Sequence, residues 1–219
     1  MMSTWQILQS HLPQALLETL YMVVISAVVG VVLGGLVGVL LYLTENRLLC
    51  PNRVVNAIVG FIVNAIRSLP FLILLVVLIP VVQFFLTDPY TPSGGAIALS
   101  VAAVPYFARL SESSFSEVDP GIVEASVSTG ATVPQILWGA VYPQARPSLV
   151  RGIVIMVITL IGSSAMVGTI GAGGIGDMAI QYGYNRYETG VLAVIVVILI
   201  VIVQVIQWFG NRRAKALTH

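Results

Sequence analysis

Residues 191–206 read VLAVIVVILIVIVQVI, an apolar run broken only by Gln204. With its flanks it extends from Gly190 to Phe209 without a charge. That matches the roughly 20 apolar residues a helix needs to cross a bilayer. The rest of the chain agrees with this stretch. Of 219 residues, 58% are hydrophobic and only 9% charged, against about 25% charged in soluble domains. Mean hydropathy is +0.98. The net charge of +1 forms no basic field, which excludes a nucleic-acid binder. One Cys and two His leave no disulfide framework and too few ligands for a metal site. The fold class is all-α integral membrane, one domain over 1–219 with a core over about 14–210.

Four further apolar regions precede the Gly190–Phe209 span. The first runs from Leu16 to Leu43, interrupted by Glu18, Thr19 and Ser26. Residues 1–15 lack a basic start, so this stretch is expected to stay as a span and not leave as a signal peptide. The second region, Val54–Leu86, is divided by Arg67 and Pro70. Its first part, 54–66, makes only about 20 Å of helix. It is read as the tilted or interfacial start of one long helix kinked near Pro70. The third is Gly95–Arg109, containing Pro105, and the fourth is Gly152–Gly171. Five spans put Arg47, Arg53, Arg109, Arg146, Arg151, Arg212, Arg213 and Lys215 on one side. The positive-inside rule makes that side cytoplasmic, with the N-terminus external. Six spans would break this bias.

Residues 112–150 are too polar to span but do not resemble a flexible linker. Pro120-Gly121 marks a turn, after which Ile122, Val123 and Val127 recur at loosely helical spacing. Glu124 suits a first helical turn and Gly130 a helix end. Pro134 suits the start of a second helix to Val141, which Pro143 and Pro147 are expected to stop. The segment reads as a cytoplasmic helical hairpin. Glu112, Glu117, Asp119 and Glu124 outweigh Arg146, so an anionic leaflet repels it and a protein partner suits it better.

Glu124-Ala125-Ser126, Gly130-Ala131 and Pro143 carry the spacing of the EAA loop. In this the chain resembles the ABC importer permeases. Ser126, Ala140 and Tyr142 stand where that family usually has Ala, Ile and Leu. Arg67-Ser68-Leu69-Pro70-Phe71, Pro105-Tyr106-Phe107-Ala108-Arg109, Ser164-Ala165-Met166, Gly171 through Gly176, and Gln181-Tyr182-Gly183-Tyr184 are similar to the methionine-importer permeases. The resemblance implies a five-span type I permease core in the cell inner membrane. It implies a homodimer, two ATP-binding cassette subunits docked on the coupling hairpin, and an external substrate-binding protein. It also implies methionine of either hand as cargo. Glu124, Ala125, Ser126, Gly130, Ala131 and Pro143 would then couple to the ATPase.

Gly171–Gly176 fits G-x-G-x-x-G, but a membrane helix precedes it where a dinucleotide site needs a strand. It reads as a break or external turn at the outer end of the fourth span. There is no phosphate-binding G-x-x-x-x-G-K-[ST] and Lys215 is the only lysine, so ATP chemistry belongs to a partner and no cofactor is expected. Gly30, Gly34 and Gly38 allow close helix packing. Gly162, Ser163, Ser164, Ala165 and Gly168 leave room for a path that Met166 can close. In the resembled family this stretch carries the gate. Arg67 and Arg109 read as interfacial anchors, with Glu112 or Glu124 as candidate partners of Arg67. Cys50 reads as an incidental thiol, and Trp5, Tyr90 and Trp208 as interfacial aromatics.

An ion-coupled secondary transporter would need a mid-membrane acid or His, and only Glu18 lies within a span. An enzyme would need a nucleophile and base, whereas His11 and His219 lie at opposite ends. A permease for another small polar amino acid stays open beside methionine.

Overall fold

The computed structural model describes residues 4–217, all in helices and short connections. Helix α1 runs Thr4–Glu45, α2 Arg53–Ser68, α3 Phe71–Phe85, α4 Pro92–Ser116, α5 Pro120–Ser128 and α6 Val133–Thr169. Helix α7 begins at Gly174–Met178 and continues as a π turn, Ala179–Tyr184; α8 is Thr189–Ala216. Four helices, α1, α4, α6 and α8, are long and apolar enough to cross a membrane. Counting α2 and α3 as one broken span gives five.

That broken span corrects the expectation of one kinked helix. The chain bends by 108° between α2 and α3. Proline disfavours helical geometry in the residue before it, so Leu69 leaves the helix. Pro70, at φ −54° and ψ 134°, then starts α3 afresh. Its carbonyl accepts the N–H groups of Ile73 and Leu74 at 2.9 and 3.0 Å.

Helix α1 has 42 residues. At about 1.5 Å per residue this is about 63 Å, twice a hydrocarbon core of about 30 Å. It therefore extends beyond the Leu16–Leu43 span at its N-terminal end. A π turn, Gly30–Gly34, interrupts it. The large apolar side chains left exposed, such as Phe84, Val197, Ile200 and Val201, face what would be lipid.

The described residues fall into two compact units, each fed by α1, α4, α6 and α8. The first comprises residues 4–28, Leu69–Ala102 and Val157–Gln207. Its core joins Ile7, Leu8, Ala15, Ile175, Met178, Tyr182, Val191 and Ile195. Buried Ser26 donates to the carbonyls of Met22 (2.7 Å) and Ala96 (3.0 Å), so its hydroxyl carries no desolvation penalty. His11 stacks on Tyr182 with centroids 5.1 Å apart; His219 lies outside the described residues.

The second unit comprises Val29–Ser68, Ala103–Met156 and 208–217. Here α1 lies close against α4. A Cβ built on Gly30 would meet Ala103 Cβ at 2.8 Å, and one on Gly34 the Val104 carbonyl oxygen at 2.6 Å. The small-residue frames of α1 therefore serve contact within the subunit. A second core joins Tyr42, Phe115, Val118, Val123, Ile136, Leu137, Val141 and Ala145.

Candidate functional site

The hairpin between α4 and α6 is built by local chemistry. Asp119 caps α5, its Oδ1 accepting the Gly121 N–H at 2.8 Å, with Pro120 in the first turn. Gly130 ends the helix at φ +78°, a conformation side chains resist. Its N–H donates to the Val127 carbonyl at 2.9 Å. Thr132 and Gln135 then form a capping box that starts α6, the Thr132 N–H donating to Gln135 Oε1 at 2.8 Å.

The two faces of α5 differ. Val123, 2% exposed, sits on Phe115, Val118, Ile136, Leu137 and Val141. Glu124, Ala125, Ser128, Thr129 and Gly130 are exposed. The half-buried Ser126 turns its hydroxyl back to the Ile122 carbonyl at 2.7 Å. Serine in place of alanine thus adds no free polar group to the exposed face. Ala131 is half-buried beside the same core.

Pro143 and Pro147 do not stop the helix, contrary to the sequence expectation. Val133–Thr169 is continuous, and both prolines lie inside it. For Pro143 the π turn at Leu137–Val141 offers a reason. A proline lacks an N–H and clashes with the carbonyl four residues back. For Pro143 that carbonyl is on Gly139, within the π turn, where the wider helix relieves the clash. Residues outside regular helix between α4 and α6 are confined to the margins of α5. Helix α4 reaches Ser116 and α6 begins at Val133, so both helices extend into the 112–150 segment.

Farther along α6, Thr159, Gly162, Met166 and Thr169 are exposed on one stripe, with Ser163 half-buried beside it. Met166 is 46% exposed. Ser164 faces inward, 3% exposed, and donates to the Ile161 carbonyl at 2.8 Å. The structure therefore brings Met166 and Ser163 to this face and leaves Ser164 behind it.

Three arrangements had little or no signal in the sequence. The Gly171–Gly176 turn has positive φ at Gly171, Gly173 and Gly174. It is anchored on α1: Glu18 Oε2 accepts the Gly174 N–H at 2.7 Å, and Thr19 Oγ1 the Ile175 N–H at 2.8 Å. Glu18, the acid within the Leu16–Leu43 stretch, is thus a cap for α7. The second arrangement centres on Arg109. Its Nη1 donates to both Glu112 oxygens at 2.7 and 3.0 Å, its Nε to Asn64 Oδ1 at 3.2 Å and its Nη2 to the Gly60 carbonyl at 3.3 Å. This ties α2 to α4. Opposite charges three apart on a helix were a readable hint. The third corrects Arg67. Glu112 pairs with Arg109, and the Arg67 guanidinium instead lies 6.0 Å from the Tyr106 ring centroid.

Comparisons with known proteins point one way. The family model described as "Binding-protein-dependent transport system inner membrane component" matches residues 30–215. The "Methionine import system permease protein MetP" of Bacillus subtilis is 38% identical over 202 residues, 92% of this chain and 95% of that one. The "D-methionine transport system permease protein MetI" of Escherichia coli K12 is 40% identical over 151 residues, 69% of this chain and 70% of that one. A solved structure of the MetNI methionine ABC transporter, in inward-facing conformations, superposes with a TM-score of 0.92. It is 39% identical, covering 95% of this chain and 96% of that one.

Proposed function

The chain belongs to the family of binding-protein-dependent transport system inner membrane components, and from that premise we propose that two copies form the translocation path of an ATP-driven methionine importer. The observation that carries this reading is the two-faced helix α5. One face is locked onto the apolar core under Val123, and the other offers Glu124, Ala125 and Gly130 outward. A rigid lever needs both: a surface for a partner to push and a bed through which the push reaches the spans.

Two ATPase subunits dock on the exposed faces of α5 from the cytoplasm, with the C-terminus on the same side and the N-terminus outside. ATP binding draws the ATPases together, and each α5 transmits the movement through Leu137 and Val141 into α6. The paths between the two copies then open outward, and hydrolysis resets them inward. The Met166 stripe of α6 lines this path, its flexible thioether closing it at rest. Selectivity resides in an external binding protein, so the path itself needs little affinity. Ligands shift its balance only through different affinities for the two states. The chain itself performs no chemistry; the ATPase is a separate subunit.

The test is reconstitution of the permease with its copurifying ATPase and binding protein. Glu124→Lys is expected to cut ATP-dependent methionine uptake by at least about tenfold, as reversal of a docked charge does, while the protein still assembles in the membrane. Uptake and ATPase stimulation both intact in that variant would overturn the coupling role.

A further inference from the structure

Within the unit that contains the hairpin, α1, α4 and α6 enclose a groove of about 420 Å³. This is the size of a small-molecule site, about 300–1,000 Å³. Its walls include Val32, Leu36, Phe107, Leu149 and Ile153, and Leu217 from the end of α8 also lines it. Arg146 is the one charged residue in the lining, and no carboxylate is present there. The Arg146 guanidinium lies 5.1 Å from the Tyr142 ring centroid, and Trp138 meets the same ring edge-on at 5.2 Å. Trp138 is 64% exposed. Among the described residues Arg146 makes no ion pair. Two of the three π turns among the described residues border the groove, through Val31 and Val32 on one side and Leu137 and Trp138 on the other. A π turn widens its helix, and such turns recur at functional sites.

We infer that this groove holds an anionic phospholipid, its phosphate on Arg146 and an acyl chain along the apolar walls. The walls from Val32, Leu36 and Phe107 belong to the spanning helices α1 and α4, where lipid is the solvent at hand, and Arg146 lies toward the hairpin end of α6. Arginine, tyrosine and tryptophan together mark headgroup depth, with the apolar depth of the groove adjoining. The acids that set the hairpin as a whole against an anionic leaflet, Glu112, Glu117, Asp119 and Glu124, are all absent from this lining, so a guanidinium without an ion-pair partner here gains from a mobile anion. A zwitterionic headgroup would bring an ammonium to a lining that has no carboxylate to receive it. The consequence for coupling rests on the transport reading above. Leu137 belongs both to the groove and to the apolar bed of α5, so a seated lipid braces the bed through which the ATPase acts.

Binding is tested without transport, so its failure is separable from failure of that reading. The full transporter carries Trp5→Phe and Trp208→Phe, leaving Trp138 as the permease's single tryptophan, the chain having Trp 3. It is placed in phosphatidylcholine vesicles doped with chain-brominated phosphatidylglycerol or chain-brominated phosphatidylcholine. Half-maximal quenching is expected at about fivefold lower mole fraction of the anionic lipid, the contribution of one basic residue near an anionic headgroup. Arg146→Gln should abolish the difference and Arg146→Lys keep most of it. In the Arg146-containing protein, unbrominated phosphatidylglycerol should relieve the quenching and unbrominated phosphatidylcholine should not. Equal quenching by the two lipids, a preference that survives Arg146→Gln, or relief by inorganic phosphate would overturn the assignment. So would a Trp138 beyond reach of either brominated lipid, which would mean that protein covers the groove.

Discussion

Gly35 and Gly38 lie one turn apart in α1, yet a methyl group added at each should act differently. At Gly35 the nearest atom to a new Cβ is Phe107 Cε1 at 3.7 Å, an ordinary contact. At Gly38 the new Cβ would collide with Ser111 Oγ and lie 2.6 Å from the Ala108 carbonyl oxygen. Neither obstacle is a free side-chain end. The Ser111 hydroxyl is pinned to the Phe107 and Ala108 carbonyls at 2.9 and 3.1 Å, and the other obstacle is backbone of α4. The helices must part. Overpacking of this kind costs about 1–3 kcal/mol, and the gain in helix propensity from Gly to Ala returns up to about 1 kcal/mol. We take a net loss of about 1 kcal/mol for Gly38→Ala and no loss for Gly35→Ala. For a chain of this length that is about 2–4 °C in melting temperature. The assay is thermal unfolding of the detergent-solubilised protein, followed by loss of its monodisperse elution peak. Ser111→Ala strips only a hydroxyl bonded to its own helix, and in the Gly38→Ala background it should recover part of the loss. Equal melting of Gly35→Ala and Gly38→Ala, or no recovery in the double variant, would refute the close α1–α4 approach.

Met166→Ala should raise substrate leak and basal ATP hydrolysis in proteoliposomes lacking the binding protein; a leak unchanged from the parent would remove the gate role. Glu112→Ala leaves the half-buried Arg109 without its carboxylate, a loss of about 1–3 kcal/mol for a charged hydrogen-bonded group. A double-mutant cycle with Arg109→Gln should show positive coupling in melting temperature, and strict additivity would argue against the pair. Glu18→Ala removes the acceptor for the Gly174 N–H and should lower stability by about 1 kcal/mol, as loss of a helix cap does. Hydrogen exchange at Gly174 and Ile175 should quicken in that variant, and exchange unchanged there would show that the cap is not needed.

What the sequence revealed and what it hid divide along a physical line. Spans defined by burial in lipid were legible, because hydropathy over about 20 residues is a sum and tolerates local detail. The end of α5 and the start of α6 were legible too, because Gly130 and Pro134 act where they stand; the Asp119 cap and the Thr132–Gln135 box that complete these ends came only with the structure. Prolines were where local reading failed, and it failed in both directions. Pro70 was expected to kink a helix and instead broke it, whereas Pro143 and Pro147 were expected to end a helix and instead lie within it. The difference is what surrounds each ring. The residue before Pro70 has left helical geometry, and α3 starts anew at a bend of 108°. Pro143 follows a π turn that has already displaced the carbonyl it would strike. No window of sequence contains that distinction, since a π turn leaves no composition signature. The role of Glu18 was illegible for a different reason: its partner, the Gly174 N–H, is 156 residues away in the chain. A carboxylate within a span invites an ion-coupling reading because charge in lipid is costly without a partner. Here the partner is the Gly174 N–H, and Glu18 and Thr19 together accept from a turn whose glycines free its N–H groups to point at them. The same logic reaches the candidate site. Glu124 was singled out by the spacing of the EAA resemblance, which is local, and the structure leaves it exposed on α5. Ser164 and Met166 lie two positions apart, and helical geometry sends them to different faces. Only the fold determines which of those faces is left open, and it leaves open the one that carries Met166.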